Sequence, residues 1–367
     1  EVGYATRGSR GLASAAVDKE NYQPTNAYHN AQRDPLATKQ PGSSNAPART
    51  ADKAAAKKEA EKAYETIEEV ENGVVVRRYL KGKLLGKGGF AKAYWATELS
   101  SQRQYAMKVV LKSTLVKPKA KAKLQVEVKV HSSLRHKGVV RFYHFFEDAE
   151  AYYMLLELCH NRSFSEWMKK RKRLTEPEVQ FLLTQLLDAL GYLHDAGVIH
   201  RDLKLGNLLL DKNMNLKVAD FGLAARVLEP GEKKKTLCGT PNYIAPEILE
   251  NKAGHSFQVD IWSTGVILYT MLVGRPPYES KDVKSTYKRI LANDYVFPEN
   301  APTSREARDL IRCMLQTNPE KRPSIAVIQA HPFFQRNGGP PQALPASALT
   351  SKPVFNPAPA DSEANPA

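Results

Sequence analysis

The sequence predicts an α+β chain of two unequal lobes: a small antiparallel β-sheet lobe with one main helix, then a larger helical lobe. Three observations predict it. Short β-type runs crowd residues 79–158, leucines recur at helical spacing after Cys159, and both chain ends differ in composition from the middle. The expected organisation is a disordered or partly helical extension over 1–75, a folded body over 76–334, and a disordered Pro/Ala-rich tail over 335–367. The body divides into lobes at 76–158 and 159–334.

The small lobe is expected from the runs Tyr79–Leu85, Ala91–Glu98, Gln104–Leu111, Arg141–Glu147 and Ala151–Leu158. These are rich in β-branched and aromatic residues, which suit a half-buried pleated surface. One Lys-rich helical stretch, Pro118–Leu134, interrupts them. The large lobe opens on a capping box, Thr175-x-x-Glu178, followed by Leu182, Leu183, Leu186, Leu187, Leu190 and Leu193 on one helical face. Further helices are expected near 258–273, 281–292 and 304–315. The terminal segments read differently. Residues 1–50 carry too few large apolar side chains to offset the entropy of ordering. Residues 52–70 favour a helix by composition but lack a wide apolar face.

Charge and cysteine content narrow the function classes. The net charge is +15, and the excess lies in 71–334, with 42 basic against 27 acidic residues. A basic body suggests anionic partners. No aromatic-interleaved basic motif or zinc-ligand spacing accompanies it, so no nucleic-acid partner is expected. The longest apolar run, Ile261–Val273, is interrupted by Ser263, Thr264 and Thr270 and is too short to span a bilayer. It reads as a buried helix, and no membrane association is expected. Cys159, Cys238 and Cys313 are odd in number and widely spaced, which fits a reducing intracellular compartment.

The chemistry-bearing strings occur in a fixed order. Gly86-Lys87-Gly88-Gly89-Phe90-Ala91 lies between two β-type runs. Glycines there let backbone amides approach a phosphate. A strand follows it, not a helix, so it is not a dinucleotide fingerprint, and it lacks the Gly-Lys-Ser/Thr ending of a Walker loop. Lys108 follows in a strand-like run, and Glu127 sits midway along the next helix, placed to pair with it. Then comes His200-Arg201-Asp202-Leu203-Lys204-Leu205-Gly206-Asn207. Asp202 offers a carboxylate that can accept a hydroxyl proton, and Asn207 can reach a metal ion. Asp220-Phe221-Gly222 and Ala245-Pro246-Glu247 complete the series, with Arg322 as a buried partner for Glu247.

Together, these strings over residues 79–334 resemble the eukaryotic protein kinase family, whose catalytic loop reads H-R-D-x-x-x-x-N. The resemblance implies a bilobal kinase fold and transfer of phosphate from ATP, with Mg2+ held by Asn207 and Asp220. Asp202, Lys204, Lys108 and Glu127 would form the catalytic set. Leu85, Gly86, Lys87, Gly88, Gly89, Phe90 and Ala91 would cover the nucleotide. Ala93, Ala106 and Leu209 would wall the adenine, Leu156 would guard the back of its pocket, and Glu157 and Cys159 would bond it through their backbone. Lys204 and Gly239-Thr240-Pro241 mark the Ser/Thr type, with Thr240 bonding Asp202 and Lys204.

Longer strings resemble the polo-like kinases: Leu85–Lys92 with Ala91 in place of a third glycine, the catalytic loop ending Lys204-Leu205-Gly206-Asn207, the hinge Leu156-Glu157-Leu158-Cys159, and Lys234–Tyr243. Two positions depart from that pattern. Ala93 stands where polo enzymes usually carry Cys, and Glu232-Lys233-Lys234 stands where Arg is usual. No sequence resembling the family's polo boxes follows residue 334. The resemblance implies Thr236 as a site phosphorylated by an upstream activating kinase, its phosphate pairing with Arg201 and Arg226. It also implies protein substrates, a monomeric catalytic domain, and mitotic cell-cycle control in cytoplasm and nucleus, including centrosomes and spindle. Gly206, where many kinases place Glu, and the basic stretches Lys233–Lys235 and Lys169–Arg173 suggest acidic residues near the target. The alternative is a weak or inactive kinase-fold scaffold.

Overall fold

The computed structural model describes residues 65–229 and 231–355. Among the described residues ten strands and eight α-helices follow in order. A six-stranded antiparallel sheet is formed by β1 (Glu65–Glu71), β2 (Val74–Lys87), β3 (Lys92–Glu98), β4 (Gln104–Leu111), β5 (Phe142–Glu147) and β6 (Ala151–Leu156), in the order β1-β2-β3-β4-β6-β5. Helix α1 (Pro118–Ser132) starts on a proline, whose missing N–H costs nothing in a first turn. It packs Leu124 into a small apolar cluster with Val110, Phe142 and Met154.

Strand β1 corrects the expected organisation, because residues 65–75 belong to the sheet rather than to an extension. Asn72 and Gly73 both have positive φ, 52° and 80°, as a two-residue hairpin turn requires. Ile67 and Glu69 point inward and are buried. On the exposed side Glu68 pairs with Arg78 and Glu65 with Lys81 across to β2. Glutamate-rich composition favours a helix, but these cross-strand pairs and the buried Ile67 decide for a strand. The rest of the expected helical stretch, residues 52–64, lies outside the described residues.

The larger lobe is built around α3 (Glu176–Asp195) and α5 (Gln258–Val273). The predicted capping box forms, with the Glu178 carboxylate accepting from Thr175 N–H at 2.8 Å. Helix α5 is buried along almost its whole length. At Gly265 a Cβ would stand 2.9 Å from the Met314 Cβ, so glycine allows α7 (Arg305–Met314) to pack this closely. Around them lie α2 (Phe164–Arg171), α4 (Pro246–Glu250), α6 (Val283–Ala292) and α8 (Ile325–Gln329). Two small strand pairs, β7 (Val198–Ile199) with β10 (Ala225–Arg226) and β8 (Leu208–Leu210) with β9 (Leu216–Val218), carry the loops between them. Val218 bridges to Val139 just before β5, so the two lobes share backbone hydrogen bonds.

The tail is a second correction. Residues 335–355 are not a loose extension but lie on the large lobe. Leu344 and Ala348 are buried, Trp167 Nε1 donates to Ala348 O at 2.8 Å, and Arg171 donates to the Ala348 and Ser351 carbonyls, each at 2.8 Å. A few apolar anchors in a Pro-rich stretch suffice when a neighbouring helix supplies fixed donors. Residues 356–367 lie outside the described residues. Among the described residues no helix is long and apolar enough to cross a membrane.

Candidate active site

The site is assembled from β2 to β4, α1, and the loops flanking β8 and β9. The turn joining β2 to β3 closes through Gly88 N–H donating to Ala91 O at 2.8 Å. Phe90 stands exposed at its tip. In the antiparallel register Ala93 sits opposite Lys108, and Trp95 opposite Ala106. Leu85, Ala93, Ala106, Leu156 and Leu209 are all half-buried, while Ala96 and Met107 behind them are fully enclosed. Ala106 also lies opposite Leu156 across β4 and β6. The Glu157 N–H is used by Arg141 O at 2.8 Å, and its carboxylate takes Lys217 at 2.8 Å, which fixes the connector between the lobes. Cys159 is buried beside it, and burial pushes its thiol up to about 12, so it is no nucleophile.

Lys108 Nζ lies 2.5 Å from Glu127 Oε1 and 3.3 Å from Asp220 Oδ1. Burial disfavours the ammonium, but Asp220 and Glu127 outweigh it and raise its pKa above the usual range. The Lys108 charge in turn holds Asp220 at about 2. Burial raises the Glu127 carboxyl even beside Lys108. Gly222 makes this closeness possible: a Cβ there would sit 3.3 Å from oxygens of both Asp220 and Glu127. Asp220 itself has φ 65°, a strained conformation for a residue with a side chain.

Asp202 is buried and tied on three sides. Lys204 Nζ donates to its Oδ2 at 2.7 Å, Thr240 Oγ1 donates to its Oδ1 at 2.6 Å, and Asn207 Nδ2 donates to its carbonyl at 2.9 Å. Lys204 also donates to Thr240 at 2.9 Å, which closes a triangle. The residues fit a magnesium ion with a polyphosphate. The Asn207 amide nitrogen is spent on Asp202, which leaves its oxygen as the acceptor. Asp220 is ionised with a half-exposed side chain. Hard cations take such oxygen ligands, and Lys108 adds a fixed positive charge.

Thr236 is exposed, and Arg201 and Arg226 each have a hydrogen-bond partner of their own. Arg201 Nε donates to Leu223 O at 2.7 Å, and Arg226 donates to the Ser133 hydroxyl. Glu247 and Arg322 do meet, through two bonds of 2.6 and 2.7 Å.

With this geometry in view, residues 79–334 match the protein kinase domain family. This chain belongs to the protein kinase family. It is 53% identical over 289 residues to the probable serine/threonine-protein kinase CCRP1 of Zea mays, covering 79% of this chain and 46% of that one. It is 50% identical over 290 residues to the probable serine/threonine-protein kinase PLK of Dictyostelium discoideum, covering 79% and 29%. It is 50% identical over 283 residues to the serine/threonine-protein kinase PLK1 of Xenopus laevis, covering 77% and 47%. The chain therefore spans less than half the length of these relatives.

One functional group of this kinase escaped the sequence reading. Asp260, fully buried in the first turn of α5, accepts from His200 N–H and Arg201 N–H at 2.9 Å each, and its Oδ2 lies 3.0 Å from His194 Nε2. Burial alone would raise its carboxyl, but the His194 bond and the charges of His194 and His200 bring it below the usual range. It clamps the backbone just before Asp202, where Arg201 is held at φ 64°. The signal in the sequence was an aspartate opening the most apolar helix of the chain, since a buried charge must be paired.

Proposed function

We propose that this kinase domain transfers the γ-phosphate of Mg-ATP to serine or threonine hydroxyls of protein substrates, as a polo-like type enzyme acting in mitotic control. The observation that carries the reading is the enclosed Asp202–Lys204–Thr240–Asn207 cluster beside the Lys108–Glu127–Asp220 triad. Bound Mg-ATP supplies the transferable phosphoryl group and the metal's charge neutralisation. Asn207 and Asp220 would hold the metal. Lys108, fixed by Glu127, would hold the phosphates. Asp202 orients the substrate hydroxyl and takes its proton, and Lys204 offsets the charge that develops on the phosphoryl oxygens. The intact set argues for catalysis over a passive scaffold.

Glu157 and Cys159 would meet the adenine through the Glu157 carbonyl and the Cys159 N–H, between Leu85, Ala93, Ala106 and Leu209. Thr236 would be phosphorylated by an upstream kinase. Its exposure suits that role, and its phosphate would pair with Arg201 and Arg226. The neutral Gly206 favours substrates with acidic residues close to the target. The proposed setting is cytoplasm and nucleus, with the domain acting as a monomer.

The test is magnesium-dependent transfer to paired peptides, one with an acidic residue two before the serine, the other with arginine upstream. Asp202→Asn should lower turnover by roughly 10²–10⁴-fold without loss of nucleotide binding. Thr236→Asp should raise activity over Thr236→Ala. Preference for the arginine peptide would reject acidic selection. No transfer by the Thr236→Asp form would reject the catalytic reading.

A further inference from the structure

Helix α7 carries three arginines, Arg305, Arg308 and Arg312, at a spacing that puts them on one side of the helix. Two of them lie over the same ring: the Arg308 and Arg312 guanidinium carbons are 5.6 and 5.5 Å from the Phe297 centroid. With Tyr295 and Val296 these residues line an open groove of about 440 Å³. The floor is rigid. Phe297 packs on Tyr269 at 5.5 Å, Tyr269 donates to Val296 O at 2.7 Å, and Arg308 Nε donates to Thr303 Oγ1 at 2.8 Å.

The nearby acids are used elsewhere. Glu306 pairs with Arg336 at 2.7 Å, and Asp309 pairs with His331 at 3.1 Å. Among the described residues Arg308 and Arg312 have no carboxylate partner within ion-pair distance. Two guanidinium groups over an aromatic floor, neither of them ion-paired with a described carboxylate, form a receptor for planar anions, although Glu306 and Asp309 stand nearby. Val296 is two-thirds exposed beside them and offers an apolar contact.

We propose that this groove is a docking site for an extended acidic segment of a partner protein, with its carboxylates on Arg308 and Arg312 and an apolar side chain on Val296. None of its lining residues belongs to the catalytic cluster, so the site would recruit a partner rather than take part in transfer. A cation site is the competing reading, since Asp309 and Cys313 of the same helix gather with His331. Arg305, Arg308 and Arg312 oppose it. So does His331, whose Nδ1 accepts from Phe333 N–H at 3.2 Å, which leaves the proton on the nitrogen facing Asp309.

The experiment uses the full chain and a short fluorescent peptide alternating glutamate and valine. Binding should weaken with salt, and hydrogen exchange should slow over 295–297 and 305–312 when the peptide is added. Arg312→Glu, on an exposed side chain, should weaken binding by about tenfold or more while melting temperature and transfer to a small peptide substrate stay unchanged. Unchanged affinity in Arg312→Glu, or protection confined to other segments, would overturn the proposal. So would a single-stranded oligonucleotide that binds more tightly and protects the same residues. If Arg312→Glu does not fold, Arg312→Gln with the exchange footprint on the unaltered chain decides by the same criteria.

Discussion

At the scale of single residues, the constellation was legible because each member is tied to a short string with fixed spacing. Lys108, Glu127, Asp202, Lys204, Asn207, Asp220 and Thr240 come together as the strings suggest. Asp260 was legible only as an acid opening the most apolar helix; nothing in the sequence names its partners, which are two backbone N–H groups and the distant His194 side chain. Its importance can be tested directly. Asp260→Asn would place an amide N–H2 against one of two backbone N–H donors, leaving a buried donor unsatisfied beside the strained Arg201. The expected loss is roughly 3 kcal/mol, read as a melting point about 6 °C lower. Turnover should fall more than nucleotide affinity, because Asp202 hangs from the clamped backbone while Lys108 does not. A variant that melts lower but keeps full turnover would show that Asp260 only supports the fold.

At the scale of elements, the junction between α1, β5 and the Asp220-Phe221-Gly222 turn is held by His131. Its ring lies 4.6 Å from the Phe221 ring, and its Nε2 is 2.7 Å from Val140 O. Burial pushes its pKa down to about 4. In the unfolded chain the same ring takes up a proton near 6.5. Between those values the unfolded state binds more protons, so stability is whole above about 6.5 and falls as pH drops toward 4. His255, also pushed to about 4 by burial, adds to the same window. The loss from His131 reaches about 3 kcal/mol at the acid end. Denaturant melts between pH 4 and 7 should show a shallower slope in His131→Gln, which keeps a donor for Val140 but cannot titrate. Equal slopes would assign the acid sensitivity elsewhere. The sequence identified this helix by its Lys-rich run and the strands around it by their β-branched and aromatic content. It misassigned β1, where glutamates that pair across a hairpin resemble those of a helix.

At the scale of the whole molecule, residues 339–355 lie against the large lobe rather than trailing from it. A Pro/Ala-rich composition hides this, because among the described residues of the segment only Leu344 and Ala348 are buried, and several of the remaining contacts are backbone carbonyls received by Trp167 and Arg171. Removing residues 339–367 should expose the surface under Leu344, worth about 2 kcal/mol. It should also orphan the Trp167 and Arg171 donors, at about 1–3 kcal/mol each where they stay dry. Together these predict a melting point lower by roughly 10 °C. The strap binds α2, which follows the Glu157–Cys159 connector, and it touches none of the Lys108–Glu127–Asp220 or Asp202–Lys204–Thr240 contacts. Nucleotide affinity at a temperature where both forms are folded should therefore be unchanged. A truncated protein with the same melting point would mean that the strap rests on the lobe without stabilising it. One that melts lower and also loses nucleotide affinity would mean that α2 transmits the strap's hold to the connector.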